Sequence, residues 1–322
     1  MRTEISDARE AALAAPSTAQ PRYLLDREGF LAPLLLLPTV VYIVALVGIP
    51  FGLAIAYSFS DATIGNQALH WVGLSNFAQI IHDPTFQTAL TNTVVFTLVS
   101  QVLVVILATL LALILAEDFI GKRLVRFLVL LPWTTPVALA VVGWLWTLDS
   151  VYSPIDWVLR EVHLLGPHTI FGPDTNMYWL AKAHLAQFSI IMVQTWRLVP
   201  LAAVIVLAGM TSIPRDIEDA ADMDGATFWR KLVYIDLPLL LPIIAVAILF
   251  GTIFVFTDMV VVHVLTNGAP IDGTQVLANL AYLKGIQSGD LSQGAAIALF
   301  LFPVLAGLAA IMLRLARRAE TV

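Results

Sequence analysis

Six long apolar stretches separated by polar ones dominate the chain: residues 31–59, 93–116, 125–148, 188–209, 232–257 and 294–313. Each reaches the roughly 20 residues that a helix needs to cross a hydrocarbon core about 30 Å thick. None shows the two-residue alternation of a membrane barrel strand. The pattern predicts an all-α integral membrane protein with six transmembrane helices. The first stretch is too long for the apolar part of a cleaved signal, and no small-residue cleavage site follows it. Residues 1–29 mix both charge signs with "AALAAPSTAQ" and read as a disordered tail.

Prolines modify this plan. Pro33, Pro38 and Pro50 fall in the first stretch, and Pro132 and Pro136 in the third. A proline within a lipid-embedded helix frees a carbonyl that needs another partner, so bends are expected at both. The turn "EDFIGKRLVR" is short and makes the second and third spans an antiparallel hairpin. The long segment 149–187 carries "YSPIDWVL" and "MYWLAKAHLA", enough for a short interfacial helix, and its aromatics suit the headgroup layer.

Composition agrees with the pattern. Of 322 residues, 59% are apolar and only 12% charged, against about 25% charged in soluble domains. The net charge of −6 says little, because charge is confined to ends and loops. The distribution of Lys and Arg says more. Arg2, Arg9, Arg22, Arg27, Lys122, Arg123, Arg126, Arg215, Arg230, Lys231, Arg314, Arg317 and Arg318 fall on one side of a six-span layout. Only Arg160, Lys182 and Lys284 fall on the other. Positive charge stays cytoplasmic, so both termini are expected there, as is the loop between the fourth and fifth spans.

Nothing in the chain has the form of a catalytic centre. No phosphate loop, H-E-x-x-H or G-x-S-x-G motif occurs. The six histidines, His70, His82, His163, His168, His184 and His263, lack ligand spacing. Without cysteine, disulfide and thiolate-metal chemistry are excluded.

One polar stretch stands apart, "DAADMDGATFWRKLVYIDLPLLLP" at 219–242. Ser212, Ile213 and Pro214 form a helix start, with proline where its missing donor costs nothing. Asp216, Glu218 and Asp219 place negative charge at the positive end of the helix dipole. Ala220 and Ala221 leave a surface that another protein can approach closely. Gly225, next to Asp224, suits the positive φ that ends such a helix. Thr227 then starts a second helix leading into the fifth span, where Pro238 and Pro242 predict a bent entry. Local physics alone fits two readings equally, an amphipathic connector and a docking surface.

The same stretch resembles the "EAA" loop of permease subunits in binding-protein-dependent ABC importers, with the pattern E-A-A, three residues, G, nine residues, I-x-L-P. Here it reads Asp219-Ala220-Ala221, Gly225 and Ile235-Asp236-Leu237-Pro238, with Asp219 replacing the glutamate. Further pieces resemble the carbohydrate branch, and in particular its larger maltose-type permease subunit: "WVGLSNF" (71–77), "ALTNT" (89–93), "LLPWTTP" (130–136), "WRLVP" (196–200), "AGMTSIP" (208–214) and "FTDMVVVHVLTNGAP" (256–270). In the last piece Asp258, Thr266, Gly268 and Pro270 match the usual form and Asn267 departs from it.

This resemblance implies a transmembrane permease domain at 30–318 with a cytoplasmic coupling helix in the loop 210–231. The chain would form half of a pore with a second homologous permease subunit. Two cytoplasmic ABC ATPase subunits would bind the loop through Glu218, Asp219, Ala220, Ala221, Met223, Asp224 and Gly225. An extracytoplasmic solute-binding protein would deliver a sugar, an oligosaccharide or disaccharide. ATP and magnesium would sit on the ATPase subunits, with no cofactor or metal on this chain and no nucleic acid among its partners. The implied location is the bacterial cytoplasmic (inner) membrane. Candidates for the solute path are the polar and aromatic groups at membrane depth: Asn92 at the head of the second span, Trp144 and Trp146, Gln194 and Arg197, and Thr252 and Asp258. Each has a plainer reading, the tryptophans as packing or belt residues, Arg197 as an internally paired charge, and Asp258 as a cap or gate. Alternatives are an importer for glycerol phosphate or another polyol, and a secondary transporter. The latter expects carboxylates at the membrane midplane, which are nearly absent here.

Overall fold

The computed structural model describes residues 28–319. Most of the tail assigned to 1–29 therefore lies outside the described residues. Regular structure among them is helical, apart from an antiparallel bridge between Ser60 and Trp71. In chain order the helices are α1 (Glu28–Ile43), α2 (Ile49–Ser58), α3 (Ser75–Ile81), α4 (Pro84–Ala116), α5 (Lys122–Thr134), α6 (Val137–Thr147), α7 (Pro154–Glu161) and α8 (Ala183–Met210). They continue as α9 (Arg215–Met223), α10 (Phe228–Lys231), α11 (Leu237–Phe256), α12 (Val260–Leu265), α13 (Leu277–Tyr282) and α14 (Leu291–Ala319). Wider π turns occupy Val44–Gly48, Leu232–Asp236 and Leu283–Gln287. Five continuous helical segments are long and apolar enough to cross a bilayer, and the bent pair α5 and α6 makes a sixth.

Contacts divide the chain into two units, Met1–Leu53 and Ala54–Val322. In the first, α1 passes through the π turn Val44–Gly48 into the start of α2, and Leu35, Leu36 and Tyr42 are exposed. In the second, α4 packs most extensively on α8, and α11 lies against α4, α8 and α14. Small residues let these helices close up. Ala108, Ala202, Ala203 and Ala247 are buried with Val104, Leu198 and Val255 in one cluster, and Ala112, Val206, Leu240 and Ile244 in the next. A further cluster joins α4, α6, α8 and α12 through Phe96, Val141, Ile190, Val193 and Val261.

The structure departs from the hydropathy reading in four places. α4 begins at Pro84, nine residues before the apolar run, because Asp83 caps it by accepting the Thr85 amide at 2.9 Å and proline suits the first turn. Asn92 is therefore about two turns inside the helix. The third span is broken, not merely bent: α5 and α6 meet at 94°. Thr135 is extended, with ψ of 136°, the conformation that proline imposes on the residue before it, and Pro136 itself has a non-helical ψ of 125°. At the entry to the fifth span the chain widens into the π turn Leu232–Asp236 ahead of Pro238. Finally, the segment between α11 and α14 is built, not loose. It holds α12 and α13, with Asn279 donating to Gln275 Oε1 at 2.7 Å and facing His263 Nδ1 at 2.9 Å.

Two features close the ends of the bundle. Lys122 Nζ donates to the Ala116 carbonyl at 2.8 Å and Arg126 Nη2 to that of Leu115 at 2.9 Å, placing cations on the negative end of α4. The hydrogen bond from Lys122 also holds the exposed Asp118 carboxyl below its ordinary range. At the other end, the turn Leu283–Gln287 meets the start of α14 backbone to backbone. A Cβ on Gly294 would lie 2.6 Å from the Gly285 nitrogen and 2.9 Å from the Ala281 carbonyl oxygen. Gly294→Val is thus expected to destabilise the purified protein by about 1–3 kcal/mol or more, read as a lowered melting temperature in detergent. Gly143→Ala, where an added Cβ meets nothing within 4 Å, should leave it unchanged. Equal melting of the two variants would contradict this packing.

Candidate functional site

Two sets of residues carry polar chemistry, one among the spans and one in the loop between α8 and α10. The first centres on an ion pair. Arg197, on the middle of α8, places Nη2 2.7 Å from Asp258 Oδ2, with side chains 8% and 5% exposed. The same nitrogen donates to Gln194 Oε1 at 3.0 Å, one turn back. Asp258 Oδ1 accepts the Val261 amide at 2.9 Å, so the carboxylate also caps the start of α12. Arg197 is therefore clamped to the corner where α11 ends and α12 begins. Its Nε is buried without a partner, as is the Thr195 hydroxyl.

The other span candidates separate. Trp144 packs edge-on against Trp196, ring centres 5.4 Å apart, at the margin of the α4–α6–α8–α12 cluster. Trp146, two residues on, points outward and is 82% exposed, so it does not join the polar group. Asn92 donates to the carbonyls of Gly273 and Gln275 at 3.1 and 3.0 Å. It fastens α4 to the segment before α13 and has no remaining donor for a solute. Thr252 is buried and lines a separate cavity of about 420 Å³ with Thr97 and Gln101. Of the candidates, then, Gln194, Arg197 and Asp258 come together, with Trp144 on the neighbouring helix. Gln101 was overlooked in the sequence, although a lone amide within an apolar run is itself a signal.

In the loop, α9 begins after Pro214, which is extended, with Asp216 and Glu218 in its first turn. It ends where the amides of Asp224, Gly225 and Ala226 return to the carbonyls of Ala220, Asp222 and Ala221 at 2.9–3.0 Å. Gly225 has φ of 68°, which L side chains adopt only with strain. Glu218, Asp219, Ala220, Met223 and Asp224 are exposed, Met223 at 87%. Ala221 is not: at 5% exposure it faces the chain's own interior, with Ile217 half-buried one turn before it. An outward surface that includes Ala221 is thereby corrected. Lys231 Nζ lies 2.9 Å from Asp222 Oδ1 and ties α9 to α10, the helix that leads into the fifth span.

Residues 105–321 match a family described as the inner membrane component of binding-protein-dependent transport systems. The chain belongs to this family. The match begins in the second half of α4 and takes in the ion pair and α9. Among relatives of this transport family, the diacetylchitobiose uptake permease DasB of Streptomyces coelicolor is 30% identical over 92% of this chain and 89% of its own. The trehalose/maltose permease MalF of Thermococcus litoralis is 28% identical over 90% and 95%. Among solved structures, a bacterial ABC transporter that imports the polysaccharide alginate superposes with a TM-score of 0.75 at 21% identity, covering 91% of this chain and 97% of that one. The fold is that of a transport permease.

The ion pair makes a direct prediction. Removing one member of a buried pair leaves an uncompensated charge and costs about 3–5 kcal/mol. Asp258→Ala and Arg197→Ala should each lower the melting temperature of the purified chain more than the double substitution does. Additive losses in the double variant would show that the two side chains do not act as a pair.

Proposed function

We propose that this chain is the permease subunit of an ATP-driven importer and forms half of the translocation path for a sugar, an oligosaccharide or disaccharide. An extracytoplasmic binding protein delivers the sugar, a second homologous permease completes the path, and two cytoplasmic ATPase subunits drive it. ATP and magnesium belong to those subunits, and this chain carries out no catalysis. Both termini and α9 lie on the cytoplasmic side, where Lys and Arg concentrate. Support for a sugar comes from relatives named for diacetylchitobiose and for trehalose and maltose.

The observation that carries the proposal is the form of α9. It is short and acidic, exposes Met223 and is stopped at a fixed angle by Gly225. A partner bound to it moves a lever whose other arm is α10, through the Asp222–Lys231 pair. Nucleotide can bias the permease only if two ATPase arrangements contact this lever differently. Glu218 and Asp219 supply charge to a basic ATPase residue, and Ala220 and Met223 supply close packing. Within the spans, Gln194, Arg197 and Trp144 are the residues assigned to the solute path, where a sugar needs both hydrogen-bonding groups and an aromatic face; in this structure Gln194 and Arg197 are buried and bonded to one another.

In proteoliposomes holding the whole complex, Asp219→Lys and Gly225→Val should leave assembly largely intact. They should lower solute uptake at least tenfold while ATP hydrolysis continues, no longer stimulated by the loaded binding protein. Uptake and stimulation equal to the parent would overturn the docking role. The solute is tested by thermal shift of the binding protein. Disaccharides or oligosaccharides should raise its melting temperature, and a response to glycerol phosphate or a polyol alone would overturn the sugar.

A further inference from the structure

A groove of about 520 Å³ lies between α4, α5 and α8, apart from both the ion pair and the loop. Leu103, Leu107 and Leu111 of α4 form one wall, Val129 and Pro132 of α5 another, and α8 lines it from Phe188 to Pro200. Leu103, Leu107 and Phe188 are exposed, so the groove opens sideways at membrane depth. Its α4 wall runs about 12 Å, two helical turns, and its α8 wall about 18 Å. Both are close to the roughly 15 Å that one leaflet gives to a hydrocarbon core about 30 Å thick.

One end of the groove is cationic. Arg126, Val129 and Pro132 follow one another at three-residue spacing along α5. Arg126 Nη2 donates at 2.9 Å to the carbonyl of Leu115, one turn beyond Leu111 on α4. The guanidinium is thus fixed just past the last lining residues of both walls. It is exposed, and the bond to Leu115 leaves most of its five donors free. Arg123, one turn earlier on α5, is exposed as well. Among the described residues neither arginine has an acidic partner within ion-pair distance. The acids of this turn are Glu117 and Asp118, and Lys122 holds Asp118 at 3.0 Å. The charges of Arg126 and of Arg215, the first residue of α9, also reach the Asp118 carboxyl, so four cations gather at this end.

We propose that the groove binds an anionic glycerophospholipid of the inner leaflet, with an acyl chain along α4, α5 and α8 and its phosphate on Arg123 and Arg126. The planar guanidinium fork matches phosphate oxygens two at a time, and basic pockets at the cytoplasmic end of membrane helices suit anionic headgroups. Other occupants match half of the site. A protein helix fills the apolar part but has to bring a carboxylate to the depth of Arg126. A sugar needs polar partners along its length, and Thr195 carries the single hydroxyl of the lining, with its oxygen buried. Free phosphate meets the arginines and leaves the groove empty. A phospholipid answers both. Because α5 ends just beyond Pro132, at the 94° break, a chain seated here also braces the inner half of the broken span against α4 and α8. The choice of leaflet rests on the cytoplasmic orientation proposed above.

The test offers the purified whole complex equal amounts of phosphatidylglycerol and phosphatidylcholine and reads retained lipid by native mass spectrometry. The parent should retain phosphatidylglycerol in preference. Arg123→Gln, which breaks no bond of the fold, should lower that preference about fivefold. Leu107→Trp, which fills the groove from its exposed rim, should lower retention of both lipids. With p-benzoylphenylalanine in place of Leu107, illumination should join the chain to phospholipid. Equal retention of the two lipids by the parent, retention unchanged in both variants, or crosslinks to protein alone would each overturn the proposal. An impermeant maleimide that reaches Arg123→Cys from the outer side would overturn the leaflet and the orientation, while retention and crosslinking decide the groove by themselves.

Discussion

Lipid offers no hydrogen bonds, so each polar group at membrane depth must be answered from within the protein or from a neighbour. This constraint orders the second unit of the chain. Arg197 and Asp258 answer one another at 2.7 Å, and the carboxylate also serves the first turn of α12. Asn92 answers two carbonyls of the segment before α13, and Thr93 donates to the Ala89 carbonyl while accepting the Leu277 amide. These bonds join α4 and α8 to the irregular segment between α11 and α14. They explain how a stretch with no long helix holds a fixed shape there.

The loop carrying α9 obeys a different rule, because there water competes for every polar group. Its shape comes from backbone geometry: an extended proline at one end, a left-handed glycine at the other, and a surface ion pair that holds it to α10. Exposed pairs of this kind contribute little to stability. In the docking role proposed above, their value would be angular: α9 held at a set angle to the helix that leads into the fifth span would give a partner a handle on the spans.

Much of this was legible in the sequence. Apolar run length located the six spanning segments, and cap residues with Gly225 located α9. What escaped depended on contacts between distant positions. Hydropathy does not register Asp83 and Pro84 as a helix start, so α4 came out nine residues short and Asn92 was placed at its head. Prolines 132 and 136 announced a bend, but extended geometry at both Thr135 and Pro136 made it a break of 94°. Spacing along one helix placed Ala221 beside Ala220 as exposed surface, whereas packing turned it inward. Periodicity likewise did not distinguish Trp144 from Trp146, which only the neighbours of α6 separate. The Gln101 amide lies where a Cβ on Gly251 would stand, 150 positions away, and nothing local to either residue announces that contact.

The most direct measurement of the central claim uses the absence of cysteine from the sequence. Asp219→Cys gives a single thiol on α9, and a membrane-impermeant maleimide reports its side and its cover. The account predicts labelling in inside-out vesicles stripped of the ATPase, none in right-side-out vesicles, and loss of labelling when the ATPase is restored. Labelling from the outer side, or labelling unaffected by the ATPase, would contradict it.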